Sequence, residues 1–408
     1  MDIDIAYLDS ANWVETDMLE RFRWLRKHDP IRWSAKDDVW LISRFDDVSR
    51  ISKDQECFTS GLGVRPGNDV KIGLIDEAEP RHAQLRGLIN KGFTPRMVQK
   101  LEVVFRRITN EAIDRVARKG RADFVEDIAV PLPLRLIAAM IGIRDEDYDR
   151  FHQWSDAMIA AEGNFGNPEI MAKAGAAFMA YTEYVTPIIE ERRVDPQDDL
   201  ISILAGADSA GLLETYEEEE TMASRAVGQP LRNDELIKLL VILMIAGNET
   251  TRNGISGGMQ LLIEHPEQRQ RLIDDPSRIR AAVEEMVRLV SPVRSFGRTV
   301  TRDVEVRERQ LRAGQRVLML YSSANRDEEE FPDPDRFDVD RHPHHLGFGI
   351  GSHFCLGANL ARMEMRVAFE ELLRRIPDME YAEGGPRFQP SALVRTCAEM
   401  QVRFTPER

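Results

Sequence analysis

Apolar and polar residues alternate along most of the chain with the three- to four-residue period of amphipathic α-helices. Six segments show this period clearly and are predicted helices: 97–118, 134–160, 168–193, 233–264, 277–290 and 358–376. Shorter alternating or β-branched stretches predict strands at 39–42, 299–306, 316–321 and 400–404. Because strands and helices do not alternate as βαβ units, we predict a mainly α protein with small antiparallel β-sheets, an α+β fold.

Two stretches between these elements lack either period. Residues 58–76 are rich in glycine and proline, and residues 207–232 contain a run of glutamates followed by a Gly-Gln-Pro sequence. The second stretch exceeds the length of an ordinary loop, so it is either a solvated, disordered acidic tract or a lid over a functional site. No flexible linker interrupts the rest of the chain, and we expect residues 1–408 to form a single domain.

Composition narrows the class of protein. The 408 residues carry 70 acidic and 55 basic side chains, a net charge of −15, which argues against nucleic-acid binding. The longest apolar run, 239–247, is well short of the roughly 20 residues that cross a bilayer, and the acidic first residues do not resemble a secretory signal. Three cysteines far apart, Cys57, Cys355 and Cys397, do not predict a disulfide framework. We therefore expect a cytoplasmic protein without a membrane anchor.

Cys355 lies in the glycine-rich stretch GFGIGSHFCLG at 347–357. A dinucleotide-binding fingerprint is excluded, because Phe354 stands where its third glycine is needed and no βαβ unit precedes it. Structural zinc is disfavoured because the cysteines and histidines lack the paired spacing of zinc ligands, whereas a cysteine nucleophile with His353 as its base stays open. A haem ligand fits more of the residues, since Cys355 precedes a predicted helix whose N-terminal N–H groups stabilise a thiolate.

This stretch resembles the haem-binding loop of the cytochrome P-450 superfamily at Phe348, Gly351, His353, Cys355 and Gly357. The resemblance implies haem b (iron protoporphyrin IX) as the cofactor, with Cys355 as the axial ligand of the iron. Phe348 would screen the sulfur from water, while Gly349 and Gly357 would let the backbone turn beside a flat macrocycle. The expected fold is that of the superfamily, with the haem between a long central helix and the cysteine loop.

The predicted central helix, 233–264, carries the second part of the resemblance. Its middle reads Ala-Gly-Asn-Glu-Thr-Thr at 246–251, directly after seven large apolar residues, and burying Glu249 there would be costly without a partner or a task. This sequence is similar to the acid–alcohol pair of the superfamily. The resemblance implies that Ala246 leaves space for O2 and that Glu249 and Thr250 are catalytic, delivering the protons that oxygen activation requires.

Four further side chains resemble the superfamily's contacts to the haem propionates. His82 and Arg86 lie four residues apart on one predicted helix, and Arg298 and His353 come from later segments. Surface exposure would be the ordinary interpretation of such a pair taken alone. The resemblance implies instead that all four groups face the two carboxylates of the cofactor, which is favourable electrostatically.

Glu285 and Arg288 lie three residues apart in the sequence EEMVR. The spacing alone predicts a surface ion pair that contributes little. The pair resembles a buried Glu-x-x-Arg of the superfamily that holds the haem-side core together. Arg336, in the sequence FPDPDRF, is the expected third member, and the role of all three would be structural.

The resemblance implies a soluble, bacterial-type monooxygenase that inserts one oxygen atom of O2 into a C–H bond. Its electrons would come from a ferredoxin and a ferredoxin reductase, with Arg362, Arg366 and Arg96 as a basic docking patch. A peroxide-driven peroxygenase is disfavoured, because enzymes of that kind typically lack the acid–alcohol pair. A haem-based sensor or lipid carrier without turnover is the alternative of another class.

The expected substrate is a small lipophilic molecule. By position in the superfamily, largely apolar segments would line its pocket: 61–74, 159–179, 240–248, 293–296 and 393–397. The sequence as a whole resembles superfamily members that oxidise steroid side chains or branched lipids. Hydroxylation of a terpenoid is the alternative within the same chemistry.

Overall fold

The computed structural model describes residues 2–67, 71–93, 95–161, 167–197, 199–206 and 233–408. Its α-helices are α1 (Glu15–His28), α2 (Phe45–Lys53), α3 (Arg81–Ile89), α4 (Pro95–Ala117), α5 (Pro131–Ile141), α6 (Tyr148–Ala161), α7 (Pro168–Val194), α8 (Leu200–Gly206), α9 (Asn233–Glu264), α10 (Pro266–Asp274), α11 (Ile279–Val290), α12 (Tyr321–Ala324) and α13 (Ala358–Arg375). Its strands are β1 (Ile31–Ser34), β2 (Val39–Ile42), β3 (Phe58–Thr59), β4 (Arg121–Asp123), β5 (Ser295–Val300), β6 (Val304–Val306), β7 (Arg309–Leu311), β8 (Arg316–Leu320), β9 (Glu380–Tyr381), β10 (Arg387–Gln389), β11 (Thr396–Glu399) and β12 (Gln401–Arg403). The predicted loop at 207–232 lies outside the described residues.

Helices dominate the structure, and five of the six predicted ones form within a few residues of their expected bounds. The sixth prediction, one helix over 134–160, is wrong, because this segment forms α5 and α6 with a break between them. Gly142 ends α5 in the left-handed conformation, with φ of +94°, and its N–H donates to the carbonyl of Ala138. A glycine in this conformation is a common helix C-terminal signal, since other residues adopt it at a cost.

The strands form small sheets beside the helical core. The largest has five strands in the order β1-β2-β8-β5-β3, and a three-stranded sheet has the order β4-β12-β9. Their pairings are antiparallel except for β2 and β8, which run parallel with Val39 opposite Arg316. The small antiparallel sheets predicted from the sequence are therefore present, and one parallel pair joins strands far apart in the chain.

Helices α9 and α13 run side by side in the same direction, and glycines of α9 allow their close approach. A Cβ atom placed on Gly254 would lie 3.0 Å from the sulfur of Met365, and one on Gly258 would lie 2.6 Å from the ring of Phe369. Both pairs advance by four residues, one turn of each helix. Counting back one and two turns in both helices would pair Thr250 with Ala361 and Ala246 with Gly357.

The largest apolar cluster contains residues from α4, α5, α9, α11 and α13, so the two helices that flank the predicted site belong to the main core. Smaller clusters lie between the five-stranded sheet and α2, and around α1. Among the helices described, none combines the length and apolar character that a membrane span needs.

Candidate active site

The loop that carries Cys355 is folded by two glycines in the left-handed region. Gly349 has φ of +69° and Gly351 has φ of +83°. A Cβ atom on Gly351 would lie 2.8 Å from the carbonyl oxygen of Ser52, so a side chain at this position would clash. The backbone N–H of Cys355 donates to the carbonyl of Phe348 at 2.8 Å, which closes the loop just before α13 begins.

Opposing effects act on the sulfur of Cys355. Burial raises the pKa of its thiol, while the N–H of Gly357 and the guanidinium groups of Arg86 and Arg362 lower it, and the net pKa is raised. The sequence predicted that the helix N-terminus would stabilise a thiolate, and the Gly357 N–H does act in that direction. Since burial outweighs it, a metal cation bound to the sulfur would supply the remaining stabilisation that a thiolate needs.

Phe348 packs beside this loop within a charged network. The guanidinium carbon of Arg362 lies 4.5 Å from the centre of the Phe348 ring, and Arg362 donates two hydrogen bonds to Glu284, at 2.7 and 2.9 Å. Nδ1 of His345 accepts from the Gly347 N–H, so Nε2 carries the proton and donates to Glu284 at 3.2 Å. Burial alone would raise the pKa of Glu284, but the His345 and Arg362 hydrogen bonds hold it at about 2.

Opposite the loop, α9 presents Ala246 and Thr250 on one face. The hydroxyl of Thr250 donates to the Ala246 carbonyl at 2.8 Å. Ala246 is exposed and Thr250 half-buried, although both lie in the middle of a 32-residue helix whose neighbouring residues are mostly buried. Apart from its chain neighbours, no atom of the described residues lies within 4 Å of a Cβ placed on Gly357.

The two helices are thus in van der Waals contact at Gly254 and Met365, whereas Ala246 is exposed and the Cβ position of Gly357 is open. A flat group between these faces would contact small residues on both sides and would bring its centre near the Cys355 loop. The predicted haem fits this arrangement, with Cys355 as the residue that would hold its iron.

Glu249 points to a different side of α9, as its burial and partners show. It is 6% exposed, and one carboxylate oxygen accepts hydrogen bonds from Asn253 at 2.9 Å and from the Thr396 hydroxyl at 3.0 Å. The other oxygen lies 2.5 Å from the Arg252 guanidinium. The predicted relay acid is therefore adjacent to Thr250 in the chain but is held by two hydrogen-bond donors and one ion pair, and one of the donors, Thr396, lies on β11.

The predicted propionate contacts converge on one cluster. The rings of His82 and His353 stack with centres 3.8 Å apart. His82 Nδ1 lies 2.8 Å from a carboxylate oxygen of Glu79, and His353 Nε2 lies 3.0 Å from the Ser60 hydroxyl. Segments separated by more than 200 residues therefore meet beside the Cys355 loop.

This cluster is rich in hydrogen-bond donors, two of them arginines. Arg298 is 3% exposed, and its buried Nε has no hydrogen-bond partner among the described residues. Burial lowers the pKa of Arg298, and burial together with Arg298, His82 and Arg86 lowers the pKa of His353 to about 2. Two carboxylates would satisfy these donors, so the predicted contacts of His82, Arg86, Arg298 and His353 to haem propionates fit the structure.

The zinc interpretation can be compared with the same cluster. Of the residues the structure describes, one group of three potential metal ligands lies close together: Glu79, His82 and His353, with ligand atoms within 4.8 Å of one another. Cys355 does not belong to it. The structure therefore gives no support to a zinc site that uses Cys355.

Glu285 and Arg288 form an ion pair with no solvent exposure, at 2.7 Å. The expected third member is wrong: Arg341, and not Arg336, donates to the Glu285 carboxylate, at 3.0 Å. The Arg336 side chain is exposed and lies 3.9 Å from Asp338, and only its backbone carbonyl joins the network. The chain turns back between the two arginines, so the later one reaches the buried carboxylate.

Sequence reasoning missed several residues of the site. Glu79 precedes His82 by one helical turn, so its spacing could have suggested the contact. Ser60 and Thr396 approach His353 and Glu249 from 293 and 147 residues away, and no local pattern marks them.

Comparison with known proteins identifies the family. A family model described as Cytochrome P450 matches residues 11–377. The chain is 34% identical to a steroid C26-monooxygenase of Mycolicibacterium smegmatis, over 99% of this chain and 96% of that protein. It is 35% identical to a methyl-branched lipid omega-hydroxylase of Mycobacterium tuberculosis, over 94% and 90% of the two chains.

Solved structures agree. A Mycobacterium marinum cytochrome P450 in complex with pseudoionone has a TM-score of 0.87 at 32% identity, covering 99% of both chains. CYP109E1 from Bacillus megaterium in complex with testosterone has a TM-score of 0.82 at 32% identity, covering 94% of this chain and 98% of that one. The chain therefore belongs to the cytochrome P450 family of haem-dependent monooxygenases.

Proposed function

We propose that residues 1–408 form one cytoplasmic domain that binds haem b and hydroxylates a lipophilic substrate, a steroid side chain or a methyl-branched lipid. Relatives named for these two reactions are about one third identical over nearly the whole chain, which supports this substrate class. Electrons would come from a ferredoxin and its reductase. A haem held by a cysteine thiolate supplies the activation of O2 and the oxidation of the C–H bond.

The observation that carries the proposal is the pair of opposed faces on α9 and α13. Cys355 would hold the iron, and His82, Arg86, Arg298 and His353 would neutralise the propionates. On the opposite side, the small side chain of Ala246 would leave space above the cofactor, and Thr250 would present a hydroxyl on the same face of α9. We assign Thr250 the role of a hydrogen-bond donor and proton carrier.

Glu249 would resupply that proton from the interior side of α9. Its carboxylate is held by Arg252, Asn253 and Thr396, so it must exchange one of these partners before it can pass a proton to Thr250. This arrangement keeps the carboxylate in place between turnovers.

The cofactor assignment is tested by the absorption spectrum of the reduced protein under carbon monoxide. Wild-type protein should give a strongly red-shifted Soret band, and Cys355→Ala should lose it. Cys57→Ala is the matched control, since Cys57 is a free cysteine that packs in the five-stranded sheet region. A red-shifted band that survives in Cys355→Ala would exclude the assigned ligand.

Substrate class is tested by adding cholest-4-en-3-one, a methyl-branched fatty acid and an acyclic terpenoid to the ferric protein. A shift of the Soret band towards the high-spin form reports displacement of solvent by substrate. We expect the steroid or the branched fatty acid to shift it and to be hydroxylated when ferredoxin, its reductase and NAD(P)H are supplied. If neither does so, the proposed class is wrong.

A terpenoid substrate is the second candidate, favoured by the likeness to the M. marinum cytochrome P450 that binds pseudoionone. If the terpenoid of the same panel shifts the Soret band and is hydroxylated while the steroid and the branched fatty acid are not, the terpenoid candidate is favoured. A haem-based sensor or lipid carrier would bind without product formation. In an oxygenase, Thr250→Ala should keep substrate binding and divert reducing equivalents to peroxide. In a carrier, the same substitution should change neither substrate binding nor the amount of peroxide formed.

The route of electron entry needs one correction. Arg362 and Arg366, predicted as a basic docking patch, are paired with Glu284, Glu102 and Glu370. The surface they form is therefore close to neutral. If ferredoxin docks there, reversing the charge of Arg366 should weaken ferredoxin-supported turnover while dithionite reduction stays normal.

A further inference from the structure

Two short segments lie between β3 and α3, residues 60–65 and 72–77, here called the two arms. The first arm is fixed to the five-stranded sheet. The carbonyl of Val64 accepts a hydrogen bond from the Gly297 N–H on β5 at 2.6 Å, and Arg316 on β8 donates to the Gly63 carbonyl at 3.1 Å. The same arm carries Ser60, whose hydroxyl lies 3.0 Å from Nε2 of His353.

One buried carboxylate ties the second arm to the first. Asp76 is 1% exposed and accepts from the Arg65 guanidinium at 3.0 Å, and Arg65 is itself 5% exposed. Asp76 also accepts the backbone N–H groups of Val64, at 3.2 Å, and Ile72, at 3.0 Å. The side chain of Asp76 therefore bonds to both arms.

The second arm reaches the face of α9 that carries the predicted chemistry. Gly73, with φ of +136°, has its Cβ position 3.8 Å from the side chain of Ile242. Ile242, Ala246 and Thr250 follow one another at intervals of four residues, so they share one face of α9. The second arm therefore contacts α9 at Ile242, one turn before Ala246 and two turns before Thr250, and borders the space beside them.

A buried ion pair is a weak source of net stability, because desolvation of the two charges offsets most of their attraction. Burial of such a pair can instead select one arrangement of the backbone, since an alternative that separates the charges is strongly disfavoured. Separation of the charges would leave the two arms joined by the Val64 N–H, which donates to Asp76, and by the Ser60 hydroxyl, which donates to the Glu77 carbonyl at 2.8 Å. The position of the second arm against α9 would then be less firmly fixed.

We propose that Arg65 and Asp76 are positioning residues that set the shape of the substrate space by holding the second arm against α9. Neither side chain touches substrate in this role; they act through Gly73 and its neighbours. The proposal rests on the proposed haem-dependent function. It does not require that the substrate be a steroid or a branched lipid.

The test compares two ligands of the iron in the purified haem protein. Imidazole is small and needs little room above the haem, whereas clotrimazole carries three aryl groups that must fit the surrounding walls. The measured quantity is the ratio of their dissociation constants, clotrimazole over imidazole, from difference spectra. The variants are Arg65→Gln, Asp76→Asn and the double variant.

We expect the ratio to change at least tenfold in each single variant, with the red-shifted carbon monoxide band retained. The double variant should resemble the single ones, because both substitutions remove the same contact. Arg65→Lys, which keeps a cation beside Asp76, should restore most of the wild-type ratio and also serves if Arg65→Gln folds poorly.

Arg26→Gln is the matched control. Arg26 is also a buried arginine, 3% exposed, and pairs with Glu328 and Ser323, which belong to neither arm nor to α9. A ratio within twofold of wild type in Arg65→Gln and Asp76→Asn would overturn the proposal. An equal change in Arg26→Gln would do the same, because it would assign the effect to general loss of stability. Absence of any haem spectrum in wild type would instead contradict the proposed function.

Discussion

Replacing Arg288 with methionine should lower the free energy of unfolding by about 3–5 kcal/mol, because it leaves a buried carboxylate without its main partner. Arg288 and Glu285 are both fully buried, and the guanidinium donates to both oxygens of Glu285, at 2.7 and 2.8 Å. The same guanidinium donates to the carbonyls of Asn325 and Pro334, at 2.8 and 2.7 Å. Each carbonyl left unpaired costs about 1–3 kcal/mol where water cannot replace the donor.

Arg341 limits that loss of stability, and variants of Arg341 and Arg336 provide smaller losses with which it can be compared. It keeps one hydrogen bond to Glu285 at 3.0 Å when Arg288 is absent, and its own side chain is 17% exposed. Arg341→Met should therefore cost less than Arg288→Met, about 1–2 kcal/mol. Arg336→Met should change stability by less than about 0.5 kcal/mol, because its exposed side chain makes one long ion pair.

The assay is urea unfolding of the haem-loaded proteins, followed by circular dichroism at equal haem content. Domains of this kind are stable by about 5–15 kcal/mol, so a loss of 3–5 kcal/mol moves the midpoint well outside experimental error. The expected order of destabilisation is Arg288→Met, then Arg341→Met, then Arg336→Met. An Arg288→Met protein within 1 kcal/mol of wild type, or an Arg336→Met protein as unstable as Arg341→Met, would refute the reasoning.

Three further predictions concern the site. Thr396→Val removes a hydrogen bond to Glu249, so peroxide released per NAD(P)H consumed should rise; an unchanged yield would deny Thr396 a role. Gly351→Ala should cost at least about 1–2 kcal/mol through its left-handed φ and lower haem content, whereas Gly385→Ala should not. The pKa of Glu284 is lowered to about 2, so its stabilisation is present above about pH 4.5 and is lost as pH falls towards 2. Glu284→Gln should therefore be less stable than wild type in urea at pH 6, and a gap that does not shrink between pH 6 and pH 2.5 would contradict this assignment.

Local sequence patterns predicted the long elements of the fold well. α7, α9, α11 and α13 form near their expected bounds, because each has an apolar stripe long enough to define a helical period. The prediction of one helix over 134–160 failed because the apolar residues before and after Gly142 follow the same helical period, although α5 ends at Ile141. Gly142 itself was the available signal, since a glycine followed by acidic residues suits one helix end and the start of the next.

Within the site, sequence reasoning succeeded where partners are close in the chain. Glu285 and Arg288 are one turn apart, and the Cys355 loop is a continuous motif. Arg336 and Arg341 differ only in where the intervening turn directs them, so composition could not choose between them. Thr396 and Glu249 meet across 147 residues, and only the packing of β11 against α9 brings them together.

Several side chains of the site are held in environments that destabilise the folded polypeptide when no cofactor is bound. Arg298 keeps a buried donor without an acceptor, His353 and His82 face cationic neighbours, and burial raises the pKa of the Cys355 thiol. A haem would answer each of these, since its propionates would accept the unpaired donors and its iron would bind the thiolate. Binding energy of the cofactor is then also folding energy, so the haem-free protein should unfold at a lower urea concentration than the loaded one.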